Sequence, residues 1–310
     1  MPRKVPAGPN TECDTLSRLA TLDDWLRYAA RRFRRAGLVF GHGTDNAFDE
    51  AAWLLLYVAR HPYDDLAGAL PLALSAPQRR RALALIEKRA ATRKPLAYLL
   101  REAWLGEHRF YVDERAIVPR SHIAELIHAG LAPWIDRPSR VRHALDMCTG
   151  SGCLAVLVAL AFPRARVDAV DMSLAALAVA RRNVQDYALQ RRVRLVRSDL
   201  YARLENMRYD LIVANPPYLD ARAMGRLPLE YGREPRLALA GGRDGLAFVR
   251  RILSDARRHL SPHGVLVVEI GNNRRVLERA YPMLPFTWPE TGAGGDYVFL
   301  LTRGQLPIGS

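Results

Sequence analysis

Residues 142–153 read Arg142-His143-Ala144-Leu145-Asp146-Met147-Cys148-Thr149-Gly150-Ser151-Gly152-Cys153. The first half is an apolar run ending on an acid. The second half is a glycine turn, and an apolar segment, Leu154–Phe162, follows it. This is the pattern of a buried strand that turns sharply into a helix. Gly150 and Gly152 allow a tight turn and a close backbone approach to a ligand. No Gly-Lys-Ser/Thr follows, so the turn is not a phosphate loop. Asp146 stands where a pyrophosphate would be repelled, which favours a neutral or cationic ligand over a dinucleotide.

Downstream, Arg166–Asp171 reads as a strand, Leu174–Tyr187 as a helix, and Val193–Asp199 and Tyr209–Ala214 as strands. Leu246–Leu260 reads as a helix and Gly264–Ile270 as a strand, and Phe286–Trp288 with Tyr297–Thr302 as a terminal strand pair. Such alternation predicts an α/β fold with a mainly parallel sheet covered on both faces. Ligands in these sheets bind beyond the carboxyl ends of strands, at a topological switch point.

Upstream the periodicity is helical. Thr21 is expected to cap a helix to Ala36, with Gly37 as its stop, and Thr44 to cap a second. Ser75 opens a third, Pro77 to Thr92, ended by Pro95 and rich in arginine. Ala103–Val112 reads as a hairpin around Gly106, and Ser121 as the cap of a helix over Ile123–Ala132. The expected organisation is a helical substrate-recognition domain over 1–110, a hairpin, linker and helix over 111–140, and a catalytic domain over 141–310.

Three acids fall at successive predicted strand ends: Asp146, Asp171 and Asp199. Each alone reads as a helix cap. Together they suggest a nucleoside pocket in which Asp171 accepts from ribose hydroxyls and Asp199 from an adenine amine. S-adenosylmethionine fits this set, because it carries ribose, adenine and a sulfonium but no phosphate. Asp146 would then face the ammonium end of the ligand, and Met172 would pack on the adenine. The turn residues Thr149, Gly150, Ser151 and Gly152, with Ser198, complete the expected cofactor site.

Asn215-Pro216-Pro217-Tyr218 ends the fourth strand and is the most specific signal. A planar amide or exocyclic amine is a weak nucleophile, because its lone pair is delocalised. Two acceptors on its N–H groups hold it and favour charge developing on nitrogen. The Asn215 side-chain oxygen and the Pro216 carbonyl are the candidate acceptors. The prolines add no competing N–H, and Tyr218 can lie against the flat group. At this level the substrate stays open among glutamine side chains, nucleobase amines and small amides.

The chain has 310 residues and a formal net charge of +14, from 46 basic and 32 acidic side chains. Only Lys4, Lys88 and Lys94 are lysine. The surplus is spread along the chain, and it reads either as arginine-rich composition or as a nucleic-acid contact. Cys13, Cys148 and Cys153 form no disulfide framework, and no metal site is expected from them. Residues Met1 to Thr15 are polar, and no segment approaches a membrane span, so a cytoplasmic location is expected.

These motifs resemble the glutamine-modifying class I methyltransferases. Gly41-His42-Gly43-Thr44-Asp45-Asn46, Phe110-Tyr111-Val112-Asp113-Glu114-Arg115 and Val118-Pro119-Arg120-Ser121 carry the resemblance, as do the Asp146–Cys153 turn and Gly242-Arg243-Asp244-Gly245. Pro285-Phe286-Thr287-Trp288 and Val298-Phe299-Leu300-Leu301-Thr302 extend it to the end. The chain looks like the PrmB branch, which modifies the third large-subunit ribosomal protein. The release-factor branch usually has glycine where Cys148 stands. The resemblance implies that Asp146, Gly150, Asp171, Asp199 and Asn215 bind S-adenosylmethionine, with S-adenosylhomocysteine as product. It implies that Asn215, Pro216 and Tyr218 hold the glutamine amide. His122, Arg233 and Pro289 depart from the usual pattern. Competing readings are release-factor methylation, nucleic-acid amine methylation, and an assembly factor with incidental catalysis. The basic helix from Pro77 to Thr92 is the candidate contact with ribosomal RNA.

Overall fold

The structure, a computed structural model, describes residues 19–307; Cys13 and the polar Met1–Thr15 stretch lie outside the described residues. Two compact units divide between Leu100 and Arg101. The first holds α1 (Leu22–Arg35), α2 (Ala47–Ala59), α3 (Leu66–Ala69), α4 (Ala76–Thr92) and α5 (Leu96–Leu100). Thr21 caps α1 through a reciprocal capping box with Asp24. The cap of α2 is Asn46 rather than Thr44, because the Asn46 Oδ1 accepts from the N–H groups of Phe48 (2.9 Å) and Asp49 (3.0 Å).

The basic helix α4 does not turn all of its cations to solvent. Arg89 is fully buried and donates through Nε to Glu50 Oε1 at 2.7 Å. Arg93 donates to the Ala36 and Gly37 carbonyls at 2.9 and 2.6 Å, and Arg79 to the Leu74 carbonyl. Arg81 donates to the Tyr57 hydroxyl at 3.2 Å, so most of the cationic run is engaged within the unit.

The second unit opens with a hairpin, β1 (Ala103–Leu105) and β2 (His108–Phe110), paired antiparallel. It groups with the sheet, not the helices, because Phe110 is buried in the core on one face of that sheet. The division thus falls ahead of the expected boundary at 110. There follow α6 (Ile123–His128), β3 (His143–Met147), α7 (Cys153–Ala161), β4 (Arg166–Asp171), α8 (Leu174–Asp186), β5 (Val193–Arg197) and β6 (Tyr209–Ala214). Then come α9 (Ala221–Met224), α10 (Ala247–His259), β7 (Leu260–Glu269), α11 (Arg274–Ala280) and β8 (Val298–Thr302). Helix α6 stops short of the expected Ala132 because Gly130 and Leu131 enter the left-handed region, at φ of 66° and 56°.

The six strands lie in the order β5-β4-β3-β6-β7-β8, parallel except for β8. Alternate side chains feed two cores. Ala144, Val167, Val213 and Val267 face α6 and α7, whereas Leu145, Val170, Ile212 and Val268 face α10. Of the expected terminal pair, 286–288 contributes one bridge, Thr287 to Leu300. Pro285 and Pro289 flank it and remove the ladder donors on either side. No helix among the described residues is long and apolar enough to cross a membrane.

Candidate active site

Strand order reverses between β3 and β6, and the ends of these strands carry the motif residues. Asp146 is buried near the end of β3, and the Thr149 hydroxyl donates to its Oδ2 at 2.5 Å. Burial pushes the Asp146 carboxyl up to about 7. The turn then passes through three left-handed residues, Cys148 (φ 59°), Gly150 (54°) and Gly152 (78°). A Cβ on Gly152 would lie 2.9 Å from Ala180 Cβ, so glycine lets α7 start against α8. The Gly150 N–H donates to Asp171 Oδ2 at 2.9 Å, and the Ser173 N–H donates to Oδ1 at 2.8 Å. Burial also raises the Asp171 carboxyl above its ordinary value.

A cavity of about 760 Å³, including its open mouth, lies over these ends, within the roughly 300–1,000 Å³ range of small-molecule sites. Cys148, Gly150, Asp171, Met172, Ser198, Asp199, Asn215 and Pro217 line it. Asp146, Thr149, Ser151 and Gly152 do not. Their polar groups are spent inside the turn, as when the Ser151 carbonyl accepts from Asn183 Nδ2 at 2.8 Å. The Ser198 hydroxyl is also committed, donating to the Leu200 carbonyl and accepting from the Arg203 N–H. Asp199 stands on the rim with its carboxylate 2.8 Å from Arg251 Nη2.

A second cavity adjoins the first. Arg120, Asn215, Pro216, Tyr218, Tyr231 and Leu239 line it, and Asn215 belongs to both walls, with Ile117 and Ala238. Asn215 Nδ2 donates to the Arg120 carbonyl at 3.4 Å, which turns its amide oxygen the other way. Arg120 grips the buried Glu234 with two bonds of 2.7 and 2.6 Å, and the Val118 N–H donates to the same carboxylate. Arg120 therefore lines the cavity and forms an ion pair at once. Three glycines enclose Tyr218. A Cβ on Gly241 would fall 2.7 Å from Tyr218 Cα, one on Gly245 2.5 Å from its carbonyl oxygen, and one on Gly271 2.6 Å from its ring. Burial pushes the Tyr218 phenol above its usual value, so it stays protonated.

Residues 131–227 match the family described as Methyltransferase small domain. The chain is 56% identical over 288 residues to the ribosomal protein uL3 glutamine methyltransferase of Neisseria gonorrhoeae, covering 93% of this chain and 96% of that one. It is 52% identical to the enzyme of the same name from Burkholderia pseudomallei, covering 93% and 96%. The chain belongs to the ribosomal protein uL3 glutamine methyltransferase family. Among solved structures, the hMettl16 catalytic domain aligns at a TM-score of 0.50 and 17% identity, covering 80% of this chain and 91% of that one, which shows the shared fold.

Several residues that sequence reasoning left without a role line or brace these cavities. Cys148 has a left-handed backbone and lies on the wall of the first cavity. Ala116, Ile117 and Phe248 join the same wall. Glu269, buried at the end of β7, accepts from the Ser121 hydroxyl at 2.6 Å and the His122 N–H at 2.9 Å. The signal for Gly241 and Gly245 was present in the glycine-rich stretch before α10, but its partner, Tyr218, is more than 20 residues upstream.

Proposed function

We propose that the chain transfers a methyl group from S-adenosylmethionine to the side-chain amide nitrogen of a glutamine in ribosomal protein uL3. The substrate follows from the names of relatives at 52–56% identity over nearly their whole length. The chemistry rests on one observation, the position of Asn215 on the wall common to both cavities.

S-adenosylmethionine supplies an electrophilic methyl on a sulfonium. In this reading the first cavity is the cofactor site. The Asp171 oxygens are each fixed by one backbone N–H and keep lone pairs for ribose hydroxyls. Met172, Leu200 and Phe248 are the apolar lining for the adenine, with Asp199 at its amine. Asp146, Thr149, Ser151, Gly152 and Ser198 hold the turns that present Gly150, Cys148 and Asp171. The second cavity takes the glutamine. The Asn215 oxygen and Pro216 carbonyl accept from the two amide N–H groups, Pro217 keeps the backbone extended, and Tyr218 packs on the flat amide. The nitrogen lone pair then faces the first cavity, and the alkylated nitrogen loses its extra proton without a strong base.

The helical unit would recognise the protein substrate, in the cytoplasm where ribosomal proteins are made. Contact with ribosomal RNA through α4 is weaker than its sequence suggests, because Arg89 and Arg93 are engaged internally. Replacing Asn215 by Ala tests the chemistry. Transfer to uL3 should be lost while cofactor affinity changes little, and near-normal turnover would refute the role.

A further inference from the structure

At the opposite end of the sheet from both cavities, the amino ends of the strands carry a row of arginines. Arg192 immediately precedes β5, Arg166 begins β4, Arg142 precedes β3 and Arg208 precedes β6. These are four neighbouring strands. Strands stand about 4.8 Å apart, so the row spans about 14 Å. A cavity of about 810 Å³, including its open mouth, lies within it and adds Arg191 and Arg194 to its lining.

This cation cluster is partly built in. Asp168 holds Arg194 by two bonds, 2.7 Å to Nε and 2.8 Å to Nη2, and Tyr209 donates to the same carboxylate at 2.8 Å. Arg192 is fixed by the Ala159, Phe162 and Ala165 carbonyls. Arg192 and Arg194 are thus held in place, whereas Arg166 and Arg191 are exposed. Asp168 is the one acid in the lining, and Arg194 balances it.

We infer that this edge is a docking surface for the phosphodiester backbone of RNA, separate from the active site. Guanidinium groups match phosphate oxygens in charge and geometry. The row is longer than a single phosphate and fits a chain of them. Its lining carries one exposed ring, His143, because Tyr209 is buried, so successive bases have no row of aromatic faces to stack on. Binding is therefore through the backbone and indifferent to sequence. The choice of RNA among polyanions rests on the ribosomal-protein reading of the substrate.

The test measures fluorescence anisotropy of a labelled 16-base-pair RNA duplex with the full chain across a salt series. The double variant Arg166→Glu/Arg191→Glu removes two exposed cations and leaves the anchored Arg192 and Arg194 in place. Arg80→Glu/Lys88→Glu on α4 makes the same change in net charge elsewhere. The edge variant should weaken binding at least about tenfold and flatten the logarithmic salt slope by about two. The α4 variant should stay within about threefold of the wild type. Equal binding by the edge variant, or a larger loss in the α4 variant, overturns the inference. So does competition by polyglutamate as effective as by unlabelled RNA. Methyl transfer to purified uL3 should be the same in wild type and edge variant. If uL3 is not methylated at all while the edge effect holds, the substrate reading fails and the docking surface stands.

Discussion

Gly150 and Gly152 stand two residues apart in one turn, yet the structure gives them different tasks, and replacing each by Ala separates these. Gly152 has φ 78°, and an added Cβ would meet Ala180 Cβ at 2.9 Å and Ala180 Cα at 3.1 Å. The left-handed backbone costs about 1–2 kcal/mol for a residue with a Cβ. The overpacked contact with α8 costs a further 1–3 kcal/mol or so. Gly152→Ala should therefore destabilise the fold by about 2–5 kcal/mol, lowering the melting temperature by roughly 5–15 °C. Gly150 has φ 54°, and the nearest neighbour of its added Cβ is the Cys148 carbonyl oxygen at 4.0 Å. Gly150→Ala should cost only the backbone part, about 1–2 kcal/mol. Its methyl would instead stand on the cofactor cavity wall, where a clash of about 1–3 kcal/mol is roughly a 5- to 150-fold loss of affinity. The gain from a stiffer unfolded chain is common to both variants and drops out of the comparison. Thermal denaturation and calorimetric titration with S-adenosylmethionine read the two effects. Equal melting losses, or weaker cofactor binding in Gly152→Ala than in Gly150→Ala, would refute the reasoning.

Gly271→Ala would drive a Cβ to 2.6 Å from the Tyr218 ring. It should raise KM for the protein substrate and lower kcat about tenfold or more, while cofactor affinity stays near that of the wild type. Glu50→Ala strands the fully buried Arg89 and should cost about 3–5 kcal/mol in denaturant unfolding of the helical unit. Replacing both Arg89 and Glu50 by Leu should recover much of that loss. Asp146 ionises at about 7 in the folded chain and at about 3.9 when unfolded. The folded state then holds the proton more tightly, so this group's contribution to stability is full below pH 4 and declines as pH rises towards 7. Asp146→Asn should flatten that decline in thermal midpoints measured from pH 5 to 8; a parallel pH profile would contradict it.

The fold was legible because its signals are local. The apolar run of β3, the turn at Gly150 and the wholly apolar α7 each declare their state within a few residues. Tyr209–Ala214 was placed without error, since a strand buried on both faces is a continuous apolar run. Errors fall where neighbouring signals compete. Thr44 and Asn46 both suit a helix cap, and only the backbone geometry selects Asn46. Phe286–Trp288 has the residue types of a strand, but its flanking prolines leave one bridge.

The sequence brought together several residues of the cavity wall but not the groups that support them. Asp171 and Asp199, two of the three strand-end acids, line the first cavity, as does Asn215. Asp146 was expected to face the ligand, but its carboxylate points into the turn, where Thr149 and burial hold it. Side-chain direction at a strand end is decided by tertiary partners that sequence spacing does not carry. The same holds for the buried Arg89: nothing in its own helical run shows that Glu50, on another helix, pairs with it.

The most direct measurement of the central claim is tandem mass spectrometry of uL3 from a strain lacking this gene and from the same strain complemented with the wild type or Asn215→Ala. The wild type should restore one methyl group on the side-chain nitrogen of a single glutamine, and the Asn215→Ala strain should match the deletion. An unmethylated uL3 in the wild-type strain, or a methyl group found on release factor alone, would contradict the account.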